Sequence, residues 1–223
     1  MPAFKWDEDH GSKYRWLVYG DPGIGKTSLS NYLKGKTYLL SLDDSFHRVK
    51  WKQKPDVWRI DTEKPIEDLI DFYNQFDSSQ YDNLVIDNIT KLQDLFLDEK
   101  ARETKSQLDN QLKDWNEADR FLKRFVVNTC FSWDLNILIT AWEETINITD
   151  PNGQMFTKFA PSVRSKPRMD IMGSCDVVAR MVKKTQSGER GLILEGTIDT
   201  YAKNRLDGRK GCKADELFSV GDN

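Results

Sequence analysis

The stretch GDPGIGKT at residues 20–27 decides how the rest of the chain is interpreted. It matches the phosphate-binding loop pattern G-x-x-x-x-G-K-[ST] without a gap or a substitution. Residues 14–19 before it are mostly apolar and β-prone, and residues 28–33 after it can begin a helix. A strand, a loop and a helix in this order are the setting in which the motif binds phosphate. The predicted binding residues are Gly20, Asp21, Pro22, Gly23, Ile24, Gly25, Lys26, Thr27 and Ser28.

The residue types in this loop predict what each would do with a nucleoside triphosphate. The glycines allow backbone N–H groups to converge on phosphate oxygens. Lys26 would reach the β- and γ-phosphates, and the Thr27 hydroxyl would bind Mg²⁺. The alternative is a glycine turn before a helix that happens to contain Gly-Lys-Thr. The loop alone indicates ATP or GTP and nothing narrower.

The composition excludes several classes of protein. The chain has 223 residues, of which 38% are hydrophobic and 31% charged, and it contains no apolar run of about 18 residues that could span a membrane. Residues 1–13 are polar and lack the apolar region of a secretory signal. The three cysteines (Cys130, Cys175 and Cys212) are odd in number and widely spaced, which argues against a zinc site or a disulfide framework. We expect a cytoplasmic protein.

Short apolar strands alternate with helical patterns after the loop, which predicts an α/β fold with a mostly parallel sheet flanked by helices. Strands are predicted at 38–42, 57–60, 84–87 and 136–141, and helices from Pro65, at 92–100 and at 108–131. Turn sequences at 150–153 and 186–189 then predict antiparallel hairpins at the C-terminal edge. We expect one domain over residues 1–223, with a polar N-terminal segment (1–13) and a mobile acidic tail (214–223).

Two acidic positions follow predicted strands and are candidates for catalysis. Asp87 ends the apolar run 84–86 and is placed to hold Mg²⁺, although it could instead cap the next helix. Asp43 is the candidate general base and Asp44 its alternative, unless both belong to a simple acidic turn. The carboxyl ends of parallel strands meet at one sheet edge, so both acids should lie near Lys26.

The C-terminal third is basic inside an acidic protein. The net charge is −3, yet residues 150–213 contain 13 Lys and Arg against 7 Asp and Glu. A surface facing a polyanion and a solvated hairpin face both explain this surplus. Lys203 and Arg205, one residue apart and placed after the last predicted strand, would project to the same side of an extended segment. They either reach a neighbouring subunit's ATP or belong to a solvated basic loop.

The order of these motifs resembles the core of RecA-like ATPases. More narrowly it is similar to phage nucleotide-binding proteins that consist of this core and act in recombination or single-strand annealing. The similarity spans residues 14 to 209 or so. It implies that Lys26, Asp43 and Asp87 are catalytic, that ATP is the nucleotide, and that Lys203 and Arg205 act across the subunit interface of a homo-oligomer, either a ring or a filament.

The resemblance also implies single-stranded DNA as a partner, bound along residues 147–168. The residues at the matching positions are Lys158, Arg164, Lys166 and Arg168, with Phe156 and Phe159 available to stack on bases. A phage or host single-strand-binding protein is a further implied partner. Two departures stand out. Trp142 occupies the place where Gln or His senses the γ-phosphate in such proteins, and Asp43 is one methylene shorter than the catalytic glutamate.

Three functions therefore remain open from the sequence. The first is an ATPase that acts on single-stranded DNA in recombination, repair or replication. The second is a nucleotide-gated ATPase whose client is another protein, which the acidic net charge, the seven tryptophans and Trp142 favour. The third is a small-molecule or nucleotide kinase, which lacks support because no Arg-rich lid insertion is recognisable.

Overall fold

The computed structural model describes residues 13–104, 106, 109–149 and 152–219. The strands in these ranges are β1 (Arg15–Gly20), β2 (Thr37–Ser41), β3 (Asp56–Arg59), β4 (Asn83–Asp87), β5 (Asn136–Thr149), β6 (Met155–Pro161), β7 (Val177–Lys183), β8 (Arg190–Ile193), β9 (Lys203–Asn204) and β10 (Gly211–Lys213). The α-helices are α1 (Pro65–Gln75), α2 (Ile89–Arg102), α3 (Leu112–Leu122) and α4 (Ser165–Ser174). No helix in these ranges has the length and apolar composition needed to cross a bilayer.

The strands form one mixed sheet in the order β10–β8–β7–β1–β5–β4–β2–β3. The pairs from β7 through β3 are parallel, whereas β8 pairs antiparallel with both β7 and β10. The predicted parallel sheet with antiparallel hairpins at its C-terminal edge is therefore confirmed. The second half of β5 leaves the sheet and pairs with β6 from Glu143 to Thr149, which makes a projecting hairpin.

Alternate residues of the strands supply two separate cores, one on each face of the sheet. Leu17 and Tyr19 of β1 belong to the first core, and Trp16 and Val18 to the second, as the period of two in a strand requires. All four α-helices cover the first face. The second face is closed by a short 3₁₀ helix, Thr27–Tyr32, and by Leu217 near the C-terminus. Each face is thereby removed from water, as a parallel sheet requires.

The helices differ from the sequence prediction in three places. A 3₁₀ helix, not an α-helix, follows the loop. The helix predicted at 108–131 begins at Leu112 and continues as a π-helical turn, Lys123–Thr129, and a 3₁₀ turn, Cys130–Ser132; Leu108 lies outside the described residues. Helix α4 has no counterpart in the prediction, because its sequence SKPRMDIMGS carries no amphipathic periodicity and contains proline and glycine. Pro167 is tolerated because it lies in the first turn, where its missing N–H has no intrahelical partner.

The segments near the C-terminus also differ from the prediction. Lys203 and Asn204 form strand β9 and β10 follows, so Lys203 does not lie after the last strand. The predicted mobile tail is packed as far as it is described, because Leu217 is buried and the Phe218 ring meets the Trp16 ring edge-on at 4.9 Å. Residues 220–223 of that tail, residues 1–12 of the N-terminal segment and residues 150–151 of the first turn lie outside the described residues.

Candidate functional site

The loop at residues 20–27 depends on glycine for steric and conformational reasons. A Cβ at Gly20 would stand 2.7 Å from the Met181 carbonyl oxygen of the neighbouring strand β7. Gly23 and Gly25 have φ angles of +75° and +108°, which side chains other than glycine adopt only with strain. The first glycine therefore allows β7 to approach β1, and the other two turn the chain back over the end of β1.

The Lys26 side chain folds back into its own loop. It is buried, and Nζ donates to the carbonyl oxygens of Gly20 at 2.8 Å and Asp21 at 2.9 Å. Burial lowers the pKa of the ammonium, and the nearby Asp87 carboxylate opposes that shift. The backbone N–H groups of Gly25, Lys26 and Thr27 have no hydrogen-bond acceptor among the described residues. The loop thus presents a cation and free N–H donors, which together suit a phosphate group.

Asp87 ends β4 and is the most deeply buried carboxylate near the loop. Its side-chain oxygens accept hydrogen bonds from the hydroxyls of Thr27 at 2.8 Å, Ser45 at 3.1 Å and Thr140. Burial raises the pKa of Asp87, and the hydrogen bonds from the three hydroxyls oppose this shift. The carboxylate and the Thr27 hydroxyl are hard oxygen ligands at hydrogen-bonding distance from each other, so these residues fit a magnesium ion.

The structure separates the two candidate general bases. Asp43 accepts a hydrogen bond from the Asn88 side-chain amide at 2.7 Å and from the Ser45 backbone N–H at 3.0 Å. Asp44 adopts a left-handed conformation with φ of 60°, and its carboxylate turns to Arg59 at 2.9 Å. Only Asp43 lines the cavity that contains Lys26 and Asp87.

This cavity has a volume of about 280 Å³ and lies at the carboxyl edge of the parallel strands. The loop forms one wall, and the turn after β2 and the ends of β4 and β5 form the others. Its lining residues are Gly23, Gly25, Lys26, Thr27, Ser28, Asp43, Ser45, Arg48, Val49, Asp87, Asn88 and Trp142. No sequence signal indicates Ser45 and Arg48, because their place depends on a 3₁₀ turn, Ser45–Arg48, that folds back from Asp43.

The middle of β5, where the strand leaves the parallel sheet, connects the cavity to the projecting hairpin. The Trp142 side chain lines the cavity, and its backbone N–H donates to the Thr90 hydroxyl of α2 at 3.0 Å. The next residue, Glu143, forms a two-point ion pair with Arg180 of β7 at 2.7 and 2.9 Å. The Arg180 guanidinium in turn lies 3.4 Å from the centre of the Phe159 ring on β6. An indole thus takes the place where the resemblance implies a hydrogen-bonding side chain.

The cavity and the sheet that supports it lie within a known domain family. Residues 12–206, which include every element of the cavity, match the family AAA_24, described as an AAA domain. The chain belongs to the AAA_24 family. No curated protein sequence matches the chain.

One solved structure supports the fold of this AAA_24 domain, and a second aligns at a lower TM-score. The RadB recombinase aligns with a TM-score of 0.51 and 13% identity over 88% of this chain and 84% of RadB. A KaiC-like protein from Pyrococcus horikoshii aligns with a TM-score of 0.46 and 10% identity over 86% of this chain and 83% of its own. At these identities the likeness concerns the fold alone. The RadB alignment confirms the expected RecA-like P-loop fold.

The two cations predicted to act in trans lie far from the loop of their own chain. Strand β9 pairs with the beginning of β7, so Lys203 is level with Leu17, and the Arg205 N–H bonds the carbonyl of Asp176 just before β7. The loop follows the opposite end of β1. Lys203 is further occupied in its own chain, because Nζ donates to the Met172 and Gly173 carbonyls at the end of α4, at 2.6 and 3.2 Å. Arg205 is exposed.

The four predicted DNA-binding residues differ in what they present to solvent. Arg168 is buried and paired with Glu144, so it is not available to contact DNA. Arg164 is half-buried, 3.7 Å from an Asp119 carboxylate oxygen and stacked over the Trp115 ring. Lys158 extends over the Tyr201 ring. Lys166, on α4, is exposed. The surface cations of this segment are therefore fewer than its sequence indicates.

The burial of Asp87 leads to a testable prediction about stability. Replacement by Asn removes a buried charge while the three hydroxyls rotate to satisfy the amide, so the nucleotide-free Asp87→Asn variant should be more stable than the wild type. We expect its thermal midpoint to rise by about 2–4 °C, the shift that corresponds to about 1 kcal/mol in a domain of this size. Magnesium-dependent nucleotide binding should be lost in the same variant.

The matched control for this prediction is Thr140→Val, which keeps the side-chain shape and removes one donor to the carboxylate. Its midpoint should fall, because the buried charge loses a hydrogen bond. Differential scanning calorimetry of the three proteins checks both directions. A lower midpoint for Asp87→Asn would show that the carboxylate stabilises the fold instead of opposing it.

Proposed function

We propose that this AAA_24 domain binds and hydrolyses ATP with magnesium and acts as an oligomer on single-stranded DNA in recombination, annealing, repair or replication. The observation that supports the ATPase part is the convergence of Lys26, Thr27, Asp87 and Asp43 on one cavity at the end of β1. A P-loop with a buried acid and a separate, bonded carboxylate supplies the groups that phosphoryl transfer to water needs.

Each side chain in the cavity has a distinct task in this proposal. The loop N–H groups and Lys26 bind the phosphates, for which Lys26 exchanges its carbonyl acceptors for phosphate oxygens. Thr27 and Asp87 would hold the magnesium ion, which would neutralise charge on the phosphates. Asp43 accepts the proton of the attacking water, and the Asn88 amide fixes the orientation of its carboxylate. The Ser45 backbone N–H, which donates to the other carboxylate oxygen of Asp43, holds the same group from a second direction.

The position of Arg205 is the reason for proposing an oligomer. An exposed arginine at the amino edge of the sheet cannot serve the loop at the carboxyl edge of the same sheet. It can serve the loop of the next subunit, in a ring or a filament, as arginine fingers do. Lys203 then has the supporting role of holding β9 against the end of α4.

The DNA part of the proposal depends on the projecting hairpin and α4. Lys158 and Lys166 lie on consecutive elements of this region, and Arg164 lies between them. The binding would take place in the cytoplasm of a host cell if the protein is phage-encoded, with a phage or host single-strand-binding protein as a further partner.

One observation favours the alternative, an ATPase with a protein client. Arg164 and Arg168, two of the four cations expected to bind DNA, form ion pairs with carboxylates of their own chain.

The first prediction from this proposal concerns the loop lysine. Lys26→Ala should abolish measurable ATP hydrolysis and weaken ATP binding by about 100-fold or more, since the variant lacks a buried, charge-assisted hydrogen-bond donor to phosphate. Lys34→Ala is the control, because Lys34 is an exposed lysine just beyond the 3₁₀ helix. Titration with a fluorescent ATP analogue and a phosphate-release assay measure the two effects. Retained turnover in Lys26→Ala would refute the site.

The second prediction tests whether Arg205 acts on ATP that is bound to the neighbouring subunit. Arg205→Ala should bind ATP nearly as the wild type does and hydrolyse it at least about 10-fold more slowly, since a trans arginine contributes roughly 10³–10⁵ where it acts. An Asp43→Asn variant should lose hydrolysis because it lacks the general base. Mixing the two should restore part of the activity, because some interfaces then combine an intact Asp43 with an intact Arg205. Absence of any restoration in mixtures that co-assemble would count against a shared site.

The third prediction separates the two kinds of client. The Lys158→Gln/Lys166→Gln double variant should bind single-stranded DNA more weakly and lower the slope of log K against log salt by about 1.4, because each lysine that no longer neutralises a phosphate reduces the slope by about 0.7. Exposed lysines on the helical side, Lys64 and Lys113, provide the control pair. Fluorescence anisotropy with labelled oligonucleotides and ATP measures both quantities. Wild-type protein without salt-sensitive DNA binding would favour the protein client.

A further inference from the structure

A second cavity adjoins the loop on the side away from Asp87. Its volume is about 380 Å³, and it shares Gly25 and Ser28 with the first cavity. The 3₁₀ helix forms one wall through Tyr32, and the β7–β8 hairpin forms the other through Met181 and Arg190. Lys213, at the end of β10, also lines the cavity, together with Glu189 and Asp215. The loop backbone is therefore accessible from two sides, and only one side carries the predicted metal ligands.

Arg190 stands directly against the loop in this cavity. A Cβ built on Gly25 would be 3.1 Å from both Cζ and Nη1 of Arg190, so the guanidinium covers the backbone at the centre of the phosphate-binding sequence. Gly25 has the left-handed φ of +108° that already disfavours other residues. The absence of a side chain at position 25 therefore allows both the turn of the loop and the approach of Arg190.

The guanidinium has no counterion within the described part of the chain. None of the described carboxylates forms an ion pair with Arg190, and none of the described residues accepts a hydrogen bond from its side chain. The adjacent carboxylate, Glu189, forms ion pairs with Lys184 at 3.0 Å and with Lys213 at 4.0 Å. An exposed arginine beside unbonded loop N–H groups adds a planar, two-point phosphate donor to a site that already favours anions.

We propose that Arg190 is a second nucleotide-binding cation, which contacts the non-terminal phosphates from the β7–β8 hairpin of the same chain. This inference rests on the proposed ATP site. Thr27, Asp87 and Asp43 place the terminal phosphate in the first cavity, so a polyphosphate chain that crosses the loop carries its α- and β-phosphates toward Gly25 and Ser28. Arg190 meets the ligand there, and the nucleoside enters the second cavity.

The assignment has a consequence that distinguishes Arg190 from the groups at the other side of the loop. A contact to the α- and β-phosphates is made equally in ATP and in ADP. Removing it should weaken both ligands by the same factor, whereas removing a contact to the γ-phosphate weakens ATP alone.

The test is equilibrium titration of the full chain with fluorescent ATP and ADP analogues, with and without magnesium. Arg190→Gln should weaken both analogues by about 10-fold or more, which is the effect of losing one charged hydrogen-bonding partner. Arg190→Lys should recover part of the affinity, because it keeps the charge and loses the planar fork. Arg124→Gln, at an exposed arginine of the π-helical turn, should bind as the wild type does.

Each outcome of these titrations has a separate meaning. Equal affinities for Arg190→Gln and wild type, with Lys26→Ala still defective, would overturn the role of Arg190 and leave the ATP site standing. A loss for ATP alone would overturn the assignment to the non-terminal phosphates. A wild-type protein that binds neither analogue would overturn the ATP site and Arg190 together. Thermal unfolding without nucleotide completes the test, because an arginine that only packs on Gly25 would change the midpoint and not the affinity.

Discussion

The buried carboxylate of Asp87 is the constraint on which the site depends. A charged group removed from water needs hydrogen-bond donors, and here the three donors come from the loop, from the turn after β2 and from β5. These segments are far apart in the sequence, and the carboxylate can satisfy its oxygens only when all three are in place. The arrangement fixes the relative position of Thr27, Asp43 and Asp87 before any ligand arrives, which is the preorganisation that phosphate chemistry benefits from.

Local sequence predicts the parts of the fold that carry their own signal. The loop, the central strands and the hairpin edge have apolar runs or turn residues that indicate them. The two-residue strand β9 and helix α4 do not, because they are formed by pairing and packing with distant segments. The choice between Asp43 and Asp44 is equally inaccessible from the sequence, since it depends on a left-handed residue that reverses the direction of one side chain. Arg190 reaches the loop only through the sheet order, which places β7 beside β1.

Charge counted in a sequence differs from charge available at a surface. The C-terminal third has a clear excess of Lys and Arg, but Arg168 pairs with Glu144, Arg180 with Glu143 and Arg209 with Asp207. These pairs hold the hairpin, β7 and the segment after β9 in position. Three cations outside these pairs are Lys166 on α4, Arg205 at the amino edge of the sheet and Arg190 at the loop. The excess of positive charge is therefore spread over separate positions and does not follow from composition as one basic surface.

The continuity of β5 has a mechanical meaning. One strand runs from the centre of the sheet, past the cavity at Trp142, and on through the hairpin to Thr149. At about 3.4 Å per residue, the part of the strand beyond Trp142 forms an arm of roughly 24 Å, whose partner strand β6 bonds residues 199 and 201 through the Phe159 backbone. The arm is anchored at its base by the Glu143–Arg180 ion pair and by the bond from Trp142 to Thr90, on the helix that follows Asp87. The hairpin is therefore connected, through one hydrogen bond and one ion pair, to the helix that follows Asp87 and to the strand beside the phosphate loop.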